Sequence, residues 1–339
     1  MMSIGHYKRV CTATLGAGVI FATSVAHGWD ETGHVIVTRI AWKALPPEMP
    51  DWLRSEEVRG RLEYLSAEPD RWRGQHNVHL DHVNSPDHYL DAETLEDYGL
   101  TIMTLPALRR EFLDVLATKR ARSPDSFDGY DRRRDRDYTR LVPGLLPYAI
   151  AELQWKAAAS WTTLRTYEEY RRFVTDELVD NARQNVVFHM GILSHFVGDG
   201  SQPLHLTHHY NGWVGDNPKG YTTDRGFHRM IDSGVIDHHR LTPEGMTRTD
   251  ANAVKVTTDG YWKEIGTYLT ETNRHVEPLY ALEKSGALMG DEGKALIEER
   301  LTAAGRMLAG VWAAARDAAV IDDYRVQQLT GGKAKPSGE

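Results

Sequence analysis

Apolar residues recur at three- and four-residue spacing along most of the chain, the signature of amphipathic helices. The pattern predicts helices over residues 35–45, 105–120, 146–166, 178–197, 226–236, 256–282 and 294–319. Pro147 suits the first turn of one of them, and Gly198 to Pro203 breaks another. Alternating, β-rich runs between turn signals are almost absent. The fold class expected is all-α: one helical domain over residues 29–330, a bundle around a single core. Residues 123–140, SPDSFDGYDRRRDRDYTR, are polar and mixed in charge and read as a solvated surface loop. Residues 331–339 read as a disordered tail.

The first 28 residues break the helical pattern. Lys8 and Arg9 precede an uncharged apolar run, and Ala26-His27-Gly28 places small residues at −3 and −1 of a cleavage site. This reads as a secretory signal peptide cut before Trp29, with a secreted or periplasmic product. No later apolar stretch is long enough to span a bilayer. The single cysteine, Cys11, falls inside the leader, so no disulfide is expected in a compartment that permits them. With 16 histidines in the chain, metal is an alternative staple.

The formal charge is −8, and it becomes −10 when Lys8 and Arg9 leave with the leader. An acidic chain lacks the basic stripe of a duplex DNA binder. A phosphate site neutralised by bound cations is compatible with that charge.

The chemistry concentrates in SHFVGDGSQPLH, residues 194–205. His195 and Asp199 are four apart near a helix end and share a face. His205 follows on the next turn. Imidazole and carboxylate together suit zinc. His228 and Asp232 repeat the four-residue spacing, while Asp70, His88 and His34 stand elsewhere. Together these exceed the four or five ligands of one zinc, so a multinuclear site follows if they converge. His76, His79 and His82 could form a separate cluster if helical. For these, for His208 and His209, and for Asp237, His238 and His239, a structural or solvated role is expected. His208 and His209 are the best placed of them to line a pocket.

The opening WDETGH, then PDRWR, HYLD, SHFVGD-x-x-QPLH and H-x-x-x-D resemble, in order, the three-zinc superfamily. That superfamily holds the fungal and plant single-strand-specific nucleases and the bacterial zinc-dependent phospholipases C. The resemblance implies a helical fold with three zinc ions. It assigns Asp70, His88, His195 and the bridging Asp199 to the first ion, and His205, His228 and Asp232 to the second. The third would take the amino nitrogen and carbonyl oxygen of Trp29, with His34 and Asp199, so that leader removal becomes a step of site assembly. It further implies attack of a zinc-held hydroxide on phosphorus, with Asp70 orienting the water and Arg73 contacting phosphate.

The nuclease branch is favoured by the short gap from Trp29 to His34, by aspartate at 232, and by 22 residues between His205 and His228. HYLD resembles a base pocket in which Tyr89 stacks and Asp91 reads a base edge. Against it, the Gly-Gly-Asn element of that branch is missing. Asn211 or Asn217 is the candidate substitute for its phosphate-holding asparagine. GLLPYAI is similar to a segment of phospholipase-like members. The expected substrate is single-stranded nucleic acid or nucleotides, with phospholipid head groups as the alternative and a non-catalytic structural zinc protein as the third reading. No obligate protein partner is implied.

Overall fold

The computed structural model describes residues 29–123, 132–247 and 251–333. Residues 1–28, 124–131, 248–250 and 334–339 lie outside the described residues, and with them the expected leader, part of the 123–140 segment and most of the expected tail. The described residues are helical, and their single β-bridge pairs Leu90 with Gly144. Among them, no helix is long and apolar enough to cross a membrane.

Helix α1 (Glu31–Lys43) begins earlier than the hydrophobic pattern indicates, because Asp30 caps it by accepting from the Gly33 amide. Three short helices, α2 (Glu56–Ser66), α3 (Glu68–Arg73) and α4 (Val78–Asn84), follow where the pattern gave none. The next are α5 (Ala92–Glu96) and α6 (Arg109–Arg122). Two 24-residue helices, α7 (Leu146–Glu169) and α8 (Asp176–Asp199), run through the centre, with Pro147 in the first turn of α7 as expected.

The 226–236 helix is composite. It comprises α9 (Phe227–Arg229), a π-turn over Met230–Gly234, and α10 (Val235–His239). After α11 (Pro243–Met246), the single helix expected over 256–282 is two: α12 (Tyr261–Asn273) and α13 (Val276–Ser285). Pro278 explains the break, since it has no N–H to bond back toward Arg274. Helices α14 (Asp291–Asp317) and α15 (Asp323–Thr330) close the chain.

The core lies where α1, α2, α7, α8 and α14 meet. Trp29, Trp312, Tyr148 and Phe112 are among its fully buried side chains. Burial continues without a gap along the last turns of α8, from Met190 to Asp199. The helix therefore delivers its two polar residues into the interior, where polar groups need partners.

Candidate metal centre

Thr175 caps α8 at its start, and the last turn carries His195 and Asp199 on one face, both fully buried. Past the helix end, Gln202 caps the short 3-10 turn Pro203–Leu206 by accepting from the Leu204 amide, and that turn presents His205. His34 enters from the first turn of α1, Asp70 from α3, and His88 from the 3-10 turn before Tyr89. His228 and Asp232 come from the composite helix, and single π-turns of this kind recur at functional sites.

These side chains form three groups able to hold metal ions: His34, His195 and Asp199; Asp70, His88 and His195; His205, His228 and Asp232. The Asp199 carboxylate lies at the junction. Its Oδ1 is 3.5 Å from His34 Nε2 and 3.8 Å from His205 Nδ1. Its Oδ2 is 3.0 Å from His88 Nδ1 and 3.3 Å from His195 Nε2. Asp70 Oδ1 stands 3.9 Å from both His88 and His195, and His228 Nε2 is 3.4 Å from Asp232 Oδ2. Every histidine and aspartate singled out as a ligand thus converges. The grouping differs in two ways: His195 also stands with His34, over which its ring stacks at 4.0 Å, and Asp199 groups with that pair rather than with Asp70 and His88.

The donor set fits cations. Both ring nitrogens of His34, Nε2 of His88, Nε2 of His205 and Oδ1 of Asp199 are buried without a hydrogen-bond partner. Leaving polar atoms so costs about 1–3 kcal/mol each, unless something else satisfies them. Burial drives the His34 and His88 imidazoles down to about 3 and about 4, so both keep a free lone pair at neutral pH. Burial alone would raise the Asp199 carboxyl. The His195 and His205 rings, with hydrogen bonds from His195 and His88, outweigh burial and hold it well below the usual range. Asp232 goes the other way, since burial pushes it well above its ordinary value and Asp199 and Asp70 add repulsion. Carboxylates crowded in a dry interior are relieved by positive charge.

Surrounding atoms fix the rings. His195 Nδ1 meets the Ser66 carbonyl at 2.7 Å, and His205 Nδ1 meets the His88 carbonyl, which turns each Nε2 toward the centre. Gln202 Nε2 donates to Asp232 Oδ1 at 2.7 Å. Sequence reasoning passed over Ser66 and Gln202, although the glutamine stands inside the quoted QPLH stretch. Gly198 is needed at its position, because a Cβ there would lie 2.8 Å from His34 Nδ1. Trp29 is fully buried, and its indole donates to Ser201 Oγ at 2.9 Å. The Trp29–Asp30 peptide N–H reaches the Asp232 carbonyl at 3.4 Å, which ties this segment to the second His/Asp pair.

The centre opens into a cleft of about 650 Å³ that His88, His205 and His228 help line. Arg73, Tyr89, Asp91 and Asn211 line it too, as the sequence suggested. Arg73 Nη1 is 3.4 Å from Asp70 Oδ1, and its buried Nε has no hydrogen-bond partner. The 88–91 segment is clamped on two sides. The Leu90 amide donates to His205 O at 2.8 Å, and the Asp91 amide to Pro143 O at 2.6 Å. Gly144, at φ +113°, allows this approach, since a Cβ would fall 2.0 Å from the Tyr89 carbonyl oxygen. Asp91 precedes α5 but makes no capping hydrogen bond. Its carboxyl is pushed up to about 7 by burial, with Glu93 adding to the effect.

Three readings are corrected. Residues 132–140 are not simply a solvated loop: Asp135 is buried, and Thr139 and Arg140, with Val142 just beyond, form a wall of the cleft. The signal was weak there, because charge patterning does not distinguish a solvated arginine from one facing a pocket. His208 and His209 lie outside the cleft lining. His209 instead stacks on Trp213 at 3.8 Å and supports the loop. Asn217 cannot replace a phosphate-binding asparagine, because its amide is spent on the Tyr221 N–H and carbonyl, each at 2.8 Å. As expected, His76, His79 and His82 are exposed and belong to none of the metal-capable groups among the described residues. Tyr210, for which the sequence carries no motif signal, also lines the cleft. No protein-family model matches this chain, and no curated protein matches it.

Proposed function

We propose that this chain is a zinc-dependent phosphodiesterase of the three-zinc nuclease and phospholipase C superfamily, acting on single-stranded nucleic acid and nucleotides. The observation that carries the reading is one buried carboxylate, Asp199, shared among histidines from four segments at the bottom of a cleft lined by an arginine, a tyrosine and an aspartate. His and Asp donors without sulfur suit zinc. The residues that would hold it are His34, Asp70, His88, His195, Asp199, His205, His228 and Asp232, with the Trp29 main chain as the further donor that the resemblance implies. When bound, zinc supplies a water that is nucleophilic at neutral pH and positive charge for the phosphoryl oxygens.

The chain's own groups supply the rest. His195, His88 and His34 outweigh the effect of burial on Asp70 and hold its carboxyl below the ordinary value. Asp70 is therefore ionised at neutral pH, and its carboxylate would accept a hydrogen bond from the attacking water and align it. Arg73, already oriented by Asp70, offers its guanidinium to a phosphoryl oxygen. Tyr89 presents a ring to a base and Asp91 accepts from a base edge, contacts that require an unpaired strand.

The test is a side-by-side assay of the zinc-loaded protein on single-stranded DNA, RNA, a 3′-mononucleotide and phosphatidylcholine, with chelator as control. Hydrolysis of the nucleic acids that chelator abolishes and zinc restores is the expected result. Strong hydrolysis of phosphatidylcholine alone would move the chain to the phospholipase branch, and turnover of none would leave a structural metal protein. Within this reading, Tyr89→Ala is expected to weaken nucleotide substrates about tenfold, roughly 1.4 kcal/mol, with zinc content unchanged. The effect on bis(p-nitrophenyl) phosphate should be smaller, and equal losses on both would remove the base pocket.

A further inference from the structure

The cleft holds a second arginine that the metal centre does not use. Arg140 belongs to a turn built on the buried Asp135, whose Oδ1 accepts from the Thr139 amide at 3.0 Å and the Arg140 amide at 3.4 Å. Tyr138, in the left-handed region at φ +61°, bends the chain between them. Beyond the turn, Leu141 O accepts from Arg120 Nη1 at 3.2 Å, which fastens the segment to α6. The next carbonyl, Val142 O, meets the Tyr89 hydroxyl at 3.5 Å. The turn is therefore anchored at both ends and fixed to the proposed base platform.

Arg140 itself is exposed, lines the cleft, and makes no side-chain ion pair with any described residue. Arg73, Arg71 and Arg109 each pair with a carboxylate. An unpaired guanidinium in a pocket of an acidic protein invites an anion, and a bidentate donor suits phosphate. It also repels a cationic head group such as choline.

We propose that Arg140 forms a second phosphate position in the cleft, taking the phosphate next to the one being cleaved, so that an oligonucleotide is preferred over a mononucleotide. This rests on the phosphodiesterase reading above and names the substrate class of the same site.

The experiment measures binding of a fluorescent five-nucleotide single strand with phosphorothioate linkages to the zinc-loaded protein by anisotropy, with thymidine monophosphate as competitor. Arg140→Ala should weaken the pentamer about tenfold and lower the salt dependence by about one phosphate contact. The monophosphate should change less than twofold. Arg140→Lys should restore the salt dependence but only part of the affinity, because an ammonium keeps the charge and loses the bidentate contact. Unchanged pentamer affinity in Arg140→Ala, equal losses on pentamer and monophosphate, or no pentamer binding by the parent protein would each overturn the proposal. Arg140-dependent pentamer binding by a protein that hydrolyses no phosphodiester would instead sustain the subsite and defeat the catalytic reading.

Discussion

Asp199→Ala is expected to release more than one metal ion per chain and to lower the proposed phosphodiesterase activity by about a thousandfold or more, roughly 4 kcal/mol of transition-state stabilisation. The expectation follows from the two oxygens of this carboxylate. One faces His34 and His205, and the other faces His88 and His195. Removing it takes a negative ligand from among four buried rings at once. Asp232 has a narrower reach, since its carboxylate pairs with His228 and is held by Gln202. Asp232→Ala should therefore cost a single ion. Elemental analysis of both variants beside the parent protein is the check, with Asp199→Asn added because it preserves side-chain volume. Equal metal loss in Asp199→Ala and Asp232→Ala would mean that Asp199 is not shared.

Chelation is expected to lower the melting temperature by on the order of 20 °C near pH 8, and by less near pH 6. Each site saturated at about a thousandfold over its dissociation constant adds about 4 kcal/mol, and a domain of this size shifts by roughly 2 °C per kcal/mol. The pH trend follows from proton linkage. In the metal-free fold, burial raises Asp232 well above its ordinary value and lifts Asp91 to about 7. Burial would lower His195, but Asp199 and Asp70 outweigh it and raise that ring as well. A group whose folded pKa is raised stabilises the fold while it is protonated and loses that contribution as pH rises through the folded value. The depressed rings, His34 at about 3 and His88 at about 4, act only on the acid side of the unfolded histidine value. Above the unfolded histidine value only the raised groups act, and the metal-free protein weakens as pH rises through about 7, where Asp91 loses its proton. Metal binding requires Asp232 ionised and His195 neutral, both raised in the metal-free fold, so loading is favoured as pH rises. Calorimetry with and without chelator across pH 6 to 8 should show the gap widening, and a constant gap would contradict the linkage.

The long helices were legible because each buries a continuous stripe: α7, α8 and α14 follow their apolar spacing closely. The short helices α2 to α4 were not. They carry many charges, and packing of α2 and α3 against α8, and of α4 against α3 and the 85–88 turn, rather than their own pattern, holds them. The metal-capable residues could be read because histidine and aspartate four apart mark one helix face, as with His195 and Asp199. Which rings share a group could not be read, since His34 and His195 stack only after α1 and α8 pack. The cleft wall at Thr139 and Arg140 was hidden for a related reason. Its anchor, Asp135, looks like any other charge in an alternating run until the turn closes around it. Gly144 was equally silent, because its necessity comes from Tyr89, which lies far away in sequence.

The measurement that bears most directly on the centre is the metal content of the protein, purified without chelator and analysed for all first-row metals against protein concentration. The three groups joined at Asp199 predict close to three zinc ions per chain. One zinc or none, in protein that is folded and otherwise intact, would contradict the trinuclear centre.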